Sequence, residues 1–399
     1  MKLSMIDQVA PPAYEPIIYY YPSNDNQTIS ETLGRLEKSL SETLVPYYPL
    51  AGRYIEEKTM IDCNDQGLEY CEAKVVNVKL DEFLQGEIEV EKLNCLVPHE
   101  NEMAFSPIVA AIQISMFEFG GMAICVSISH KVADGFTVSA FINGWSTASR
   151  LGFKEVVQPS FNLASIFPPR ENYRPNLPRL DNRVKLVTKM FVFNGTSIST
   201  LKERVRCQIP KPSRVEMVTA LVWRALIRVS EVKNKRLRAS LATHSLNLRG
   251  KTMVKTPDIS CGNLYALFGA RFSPKELGFV EVHDLVSLQR NAMREAIVDF
   301  GTAKSGDELC VKVLNSWRNV IEEEKGGEVD IHLFTSLCRF PLYEADFGWG
   351  KPIWVSSVHK AVEMVIFLDT KCGAGVEAWV TLNENDMNHL QQYLVRLTQ

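Results

Sequence analysis

A chain of 399 residues, 46% hydrophobic and 23% charged, has enough apolar material for two globular cores and the make-up of an ordinary soluble protein. Its 44 basic and 47 acidic residues leave a formal charge of -3, which argues against a broad nucleic-acid footprint but leaves room for a local basic pocket for phosphates. Nine cysteines, odd in number and without a CxxC pair, suit free thiols in a reducing compartment better than a disulfide framework or a zinc site.

The opening MKLSMIDQVAPPAYEP lacks the apolar run and small-residue cleavage site of a secretory signal. No window approaches the roughly 18 apolar residues of a membrane span, and the closing VRLTQ carries no retention or peroxisomal address. A cytoplasmic protein with no membrane or nucleic-acid partner is expected.

In chain order, Gln27 to Leu44 places Ile29, Leu33, Leu36 and Leu40 on one helical stripe. Val45 to Arg53 (VPYYPLAGR) breaks it with two prolines and leads into a strand-turn region. Val109 to Phe117 and Met122 to Ser129 are strand-like runs about Gly120-Gly121, the pattern of an antiparallel hairpin whose second strand delivers His130. After Gly135 the segment FTVSAFINGWSTASR, with Phe136, Phe141 and Trp145, predicts a helix packed on that sheet.

Val157 to Arg183 holds five prolines and little periodicity, so it predicts a surface crossover between domains spanning 1–156 and 184–399. Beyond it, Ser213 to Ser230 predicts a strong helix. Extended segments follow at Leu241 to Leu248, Leu264 to Phe272 and Pro352 to Leu368. Mixed strands and helices without a regular βαβ cadence favour an α+β fold in two domains, each a two-layer α/β sandwich.

The segment His130-Lys-Val-Ala-Asp-Gly135 carries the chemistry. A histidine at the lip of a sheet can take a proton from a substrate hydroxyl and return it to a leaving group, worth roughly 10²–10⁴-fold. Asp134 has two possible jobs: to accept the Nδ1 proton of His130, or to turn away and anchor the loop through an arginine. Gly135 and the strand end predict a tight turn rather than helix at this point. The pair is also half a metal site, but no third ligand stands nearby and HExxH is absent, so no metal is expected. No GxSxG elbow or distinctive cysteine offers a nucleophile.

A lone histidine at a strand end is ordinarily a satisfied structural residue, and the other six sit in no recognisable motif. Asp346-Phe-Gly-Trp-Gly350 begins like the kinase magnesium motif, yet the Gly-rich loop, VAIK and HRD segments are missing. A tight structural loop is the better reading, with Asp346 holding backbone amides or an arginine such as Arg339.

Taken in order, Leu3-Ser-Met-Ile-Asp-Gln8, Tyr48-Pro-Leu-Ala-Gly-Arg53, His130 to Gly135, Asn247-Leu-Arg249, Gly262-Asn263 and Asp346 to Pro352 resemble the plant BAHD acyltransferases, close to their alkaloid-acylating branch. The resemblance implies a chloramphenicol-acetyltransferase-like fold of two similar domains with a central solvent channel. It implies a monomer that moves an acetyl group from acetyl-CoA, a co-substrate, to a hydroxyl of a small-molecule alcohol, an alkaloid by branch. His130 would be the general base and transfer direct, through a ternary complex.

By the same resemblance Asp134 pairs with Arg249, and Gly135 and Asn263 support the site. The loop of Asp346, Gly348, Trp349 and Gly350 is architectural and away from the reacting atoms. Malonyl and longer donors stay open, as does a descendant repurposed as a binder or cyclase, and more remotely a hydrolase. Family members carry a further stretch with a first strand before LSxxDQ, so the expectation is either a shortened gene model or a sheet edge left unpaired.

Overall fold

In a computed structural model of the chain, residues 1–23, 28–86, 90–98, 106–170, 185–274, 280–358 and 362–398 are described. The first half runs α1 (Met5–Val9), β1 (Tyr14–Tyr21), α2 (Ile29–Leu44), β2 (Arg53–Ile55), β3 (Met60–Asp62), β4 (Glu69–Val75), α3 (Leu80–Phe83), α4 (Val90–Leu93), β5 (Ala110–Phe117), β6 (Met122–Ser129), α5 (Gly135–Leu151) and α6 (Leu163–Ile166). The second half runs β7 (Leu186–Phe193), α7 (Gly195–Arg204), α8 (Arg214–Asn234), β8 (Ala239–Asn247), β9 (Tyr265–Phe272), α9 (Val282–Gly301), α10 (Gly306–Gly326), β10 (Val329–Ser336), β11 (Trp354–Ser357), β12 (Met364–Asp369), β13 (Val376–Asn383) and α11 (Glu384–Thr398).

Two compact units result. The described residues of Met1–Pro175, Thr256–Leu264 and Phe340–Val358 form unit 1, and those of Asn176–Lys255, Tyr265–Arg339 and His359–Gln399 form unit 2. These units do not follow the unbroken limits expected from the crossover, whose 171–183 portion lies outside the described residues. The reason is strand pairing: β11 joins β1 antiparallel, Ile17 opposite Ser357, so the Asp346–Gly350 loop belongs to unit 1. The run from Pro352 to Leu368, expected as one extended segment, accordingly divides into β11 in unit 1 and β12 in unit 2.

Unit 1 is built on a five-stranded sheet in the order β11-β1-β6-β5-β4. All eight residues of β6 are buried, six of them apolar and the other two Ser127 and Ser129, and it lies between β1 and β5. The predicted β5–β6 hairpin forms, with Gly120 and Gly121 at φ +96° and +89°. A Cβ at Gly121 would stand 2.8 Å from the Leu80 side chain, so the turn needs glycine for space as well as for φ.

Helix α5 buries Phe141, Ile142 and Trp145, and the Trp145 indole N–H donates to Leu36 O of α2 at 3.2 Å. On α2 the predicted stripe holds at Leu36 and Leu40 but not at Ile29, which is exposed at the first turn. Ser39 and Thr43 fill the buried face instead, their hydroxyls bonded back to Arg35 O and Ser39 O.

Unit 2 carries a six-stranded mixed sheet, β7-β13-β12-β10-β8-β9, in which β10 runs parallel to β12 and β8. The predicted helix at Ser213 to Ser230 is α8, with Ser213 as its N-cap, and it buries Trp223 against the sheet where Nε1 donates to Ser240 Oγ at 2.8 Å. His244 stacks between Phe268 and Phe334, and burial pushes its pKa down to about 3. It is a neutral core residue. Among the described residues no helix is long and apolar enough to cross a membrane. None of the nine cysteines is paired in a disulfide.

Candidate active site

His130 stands at the exit of β6, half-buried, in a turn that precedes α5. Its backbone N–H donates to Ala13 O at 2.7 Å, tying the turn to the start of β1. Its imidazole Nδ1 lies 3.0 Å from Asn263 Oδ1. The Asn263 amide nitrogen faces two acceptors, His130 O at 2.7 Å and Asp7 Oδ1 at 2.9 Å. An amide so placed must turn its oxygen to the imidazole, so Nδ1 carries the proton and donates. A neutral ring in that tautomer keeps its lone pair on Nε2, the atom that can take a proton from a hydroxyl.

Asp134 is the N-cap of α5 and is buried. Its Oδ1 accepts the Thr137 N–H at 3.0 Å and its Oδ2 the Leu264 N–H at 3.1 Å. Thr137 Oγ1 accepts from Gly262 N and lies 3.0 Å from both Asp134 Oδ1 and Gly262 O, which share its proton. Asp134 and Thr137 thus fasten the Thr256–Leu264 loop, the one carrying Asn263, to the helix after His130. Through these bonds Asp134 holds backbone amides at the start of α5 and at Leu264.

Gly135 opens α5 outside the left-handed region, and the turn before it is made by residues 130–132. Arg249 belongs to unit 2, where its backbone N–H and Nη1 both donate to Asn247 Oδ1.

Two supports escaped the residue-by-residue reading. Asp7 accepts the Asn263 backbone N–H at 2.7 Å besides its amide, and Lys131 Nζ donates to Ala10 O at 2.5 Å and Gln8 O at 3.3 Å. Burial pushes the Lys131 pKa down to about 8, against the pull of Asp7 and Glu56. The signal for Asp7 was in the chain: Ser4-Met-Ile-Asp7 has the spacing of a capping box.

The second motif is a loop clamp. Asp346 Oδ1 accepts the backbone N–H groups of Gly348 and Gly350 at 2.8 and 2.9 Å. Its arginine is Arg150, at 3.4 Å, rather than Arg339, which lies in unit 2 and bonds Asp369 through its own N–H. Phe347 is fully buried against Trp145, ring centroids 4.8 Å apart, and Trp349 stacks on Phe347 with the Arg35 guanidinium over its ring. That guanidinium in turn donates twice to Ser149 O. Among the described residues no cluster of three or more His, Cys, Asp or Glu could hold a metal.

The geometry is that of a lone, oriented histidine on an α+β scaffold, and similarity to known proteins defines the class. The family model described as the Transferase family matches residues 1–395. The chain is 36% identical to acetyl-CoA-benzylalcohol acetyltransferase of Clarkia breweri, across 98% of this chain and 93% of that protein. It is 31% identical to salutaridinol 7-O-acetyltransferase of Papaver somniferum, across 98% and 92%. The crystal structure of vinorine synthase matches with a TM-score of 0.85 at 31% identity, covering 99% of this chain and 93% of that one. The chain belongs to the BAHD acyltransferase family, with its chloramphenicol-acetyltransferase-like fold, and is an acyltransferase.

Proposed function

We propose that this enzyme transfers an acetyl group from acetyl-CoA to a hydroxyl of a plant specialised metabolite, an alkaloid alcohol, with His130 as general base. One contact carries the reading: the 3.0 Å hydrogen bond between His130 Nδ1 and Asn263 Oδ1, which sets Nε2 as the proton acceptor. As the substrate oxygen attacks the thioester carbonyl, Nε2 takes the hydroxyl proton. When the C–S bond breaks, the imidazolium returns that proton to the CoA thiolate. Both substrates are held together, and no protein nucleophile is acylated.

Asp134 and Asn263 serve as positioning residues for His130, Gly135 and Arg249 support the site, and Asp346, Gly348, Trp349 and Gly350 hold the architecture. The relatives support acetyl as the donor group and a small alcohol as acceptor, and the reading takes the enzyme to be a cytosolic monomer.

Mass spectrometry of the purified protein with acetyl-CoA and a panel of alkaloid and benzylic alcohols tests this, with His130→Ala as control. The expected result is a product heavier by one acetyl group, reduced about 10²–10⁴-fold by His130→Ala. An acetylated protein on the reaction path, or full activity in the variant, would sink the mechanism.

A further inference from the structure

We infer that Asp7 is a positioning residue for the reaction: its buried carboxylate locks the Asn263 amide, and through it the tautomer of His130. The inference deepens the proposed role of His130 and rests on it. Helix α1 is five residues long and wholly buried, an expensive place for a carboxylate.

Asp7 nevertheless receives four hydrogen bonds: Ser4 N at 2.8 Å and Ser4 Oγ at 2.7 Å on Oδ2, Asn263 N at 2.7 Å and Asn263 Nδ2 at 2.9 Å on Oδ1. Every one comes from a donor. The Ser4 hydroxyl oxygen also accepts the Asp7 N–H at 3.1 Å, closing the capping box. Burial raises the Asp7 pKa above the usual carboxylate value and the bonds from Ser4 and Asn263 offset part of that rise; the four donors are the complement of an acceptor-only, ionised group. The Lys131 ammonium, seated on the last carbonyls of the same helix, supplies the opposite charge.

The consequence falls on Asn263. A primary amide can flip, and a flipped Asn263 would offer N–H to Nδ1 of His130 and favour the Nε2–H tautomer. That ring has no lone pair on Nε2 and cannot act there as a base. Flipping would also press the amide oxygen against both His130 O and the Asp7 carboxylate. The backbone carbonyl alone opposes the flip weakly, as one neutral acceptor, whereas the ionised oxygen opposes it with a full charge in a site closed to water. Because Asp7 Oδ1 also grips the Asn263 backbone N–H, it fixes where the amide stands as well as which way it faces. The distance from Asp7 to the reacting atoms makes this a second-remove effect, carried by one side chain.

The test is ¹⁵N NMR of histidine-labelled full-length protein, with His130→Gln to assign the His130 resonances, in wild type and Asp7→Asn. Wild type is expected to show His130 as Nδ1–H. Asp7→Asn, which must turn an amide donor toward either Ser4 or Asn263, is expected to show mixed tautomers. With acetyl-CoA and whichever panel alcohol is acetylated, kcat should fall about 10–100-fold while both KM values hold. Should Asp7→Asn not fold, Asp7→Ser, which keeps one acceptor, is read in its place. Nε2–H in the wild type overturns the inference, as does a folded Asp7 variant that keeps the wild-type tautomer, whatever its kcat. The spectrum needs no turnover, so failure of the acetyl-transfer reading shows separately, as a correct tautomer on an inactive protein.

Discussion

Two aspartates anchor the two signature segments, and they do the same physical work on very different stages. Asp134 is buried at the N-terminus of α5 and takes the N–H groups of Thr137 and Leu264, residues brought together from distant parts of the chain. Asp346 takes the N–H groups of Gly348 and Gly350, its own near neighbours, in a loop open enough for Arg150 to reach it. The first tethers the loop that orients His130; the second folds a turn on itself and seats Phe347 and Trp349 on α2 and α5. An aspartate in a motif therefore marks backbone amides needing a partner. Whether it bears on catalysis depends on what else those amides hold.

The largest expected effect follows at Asp134. Asp134→Ala removes a helix cap, about 1 kcal/mol, and orphans the buried Leu264 N–H, about 1–3 kcal/mol. A total loss of about 2–4 kcal/mol in denaturant unfolding is expected, with kcat falling because Asn263 rides on the freed loop. Asp134→Asn should recover the cap alone. If Asp134→Ala unfolds like wild type yet loses kcat, Asp134 acts on the chemistry and the likeness to Asp346 fails.

At the other loop, Gly348→Ala is the next largest. Its Cβ would lie 2.2 Å from Arg35 Nη2, at a φ of +103°. The guanidinium cannot simply swing away, since Ser149 O and the Trp349 ring hold it. A loss of about 1–3 kcal/mol is expected. Gly350→Ala, at φ +107° with open space around its Cβ, isolates the backbone strain and should cost less. Equal losses would mean that Arg35 yields freely and the clamp is the backbone alone.

How much of this was legible in the chain follows from the range of each interaction. Strand β6 and the β5–β6 hairpin are local: an apolar run and a Gly-Gly turn specify them, and His130 follows at the strand end. The N-cap role of Asp134 is local too. Its grip on Leu264 is not, because it joins residues 130 apart in the sequence. The same holds for Asp7, whose capping box is readable but whose bonds to Asn263 cross most of the chain. Pro352 to Leu368 read as a single extended run, since hydrophobicity records that each strand is buried but not which sheet buries it. His244 sits in no recognisable motif, and nothing local in the chain foretells the two phenylalanine rings that make it a core residue.

The smallest effect is the most discriminating for the Asp346 loop. Arg150 and Asp346 stand 3.4 Å apart, with side chains 46% and 19% exposed, so water screens the pair and long-chain entropy offsets much of its attraction. Arg150→Met keeps the aliphatic stem and leaves both amide bonds to Asp346 Oδ1 intact. A loss below about 1 kcal/mol is expected, shrinking further in high salt as screening removes what the pair contributed. Asp346→Ala strips Gly348 and Gly350 of their acceptor and should cost about 1–3 kcal/mol whatever the salt, because neutral amide donors are not screened. Denaturant midpoints of the two variants, each at low and high ionic strength, separate the cases. Should Arg150→Met match Asp346→Ala at low salt and recover at high salt, the ion pair rather than the amides is what Asp346 supplies, and the parallel with Asp134 is lost.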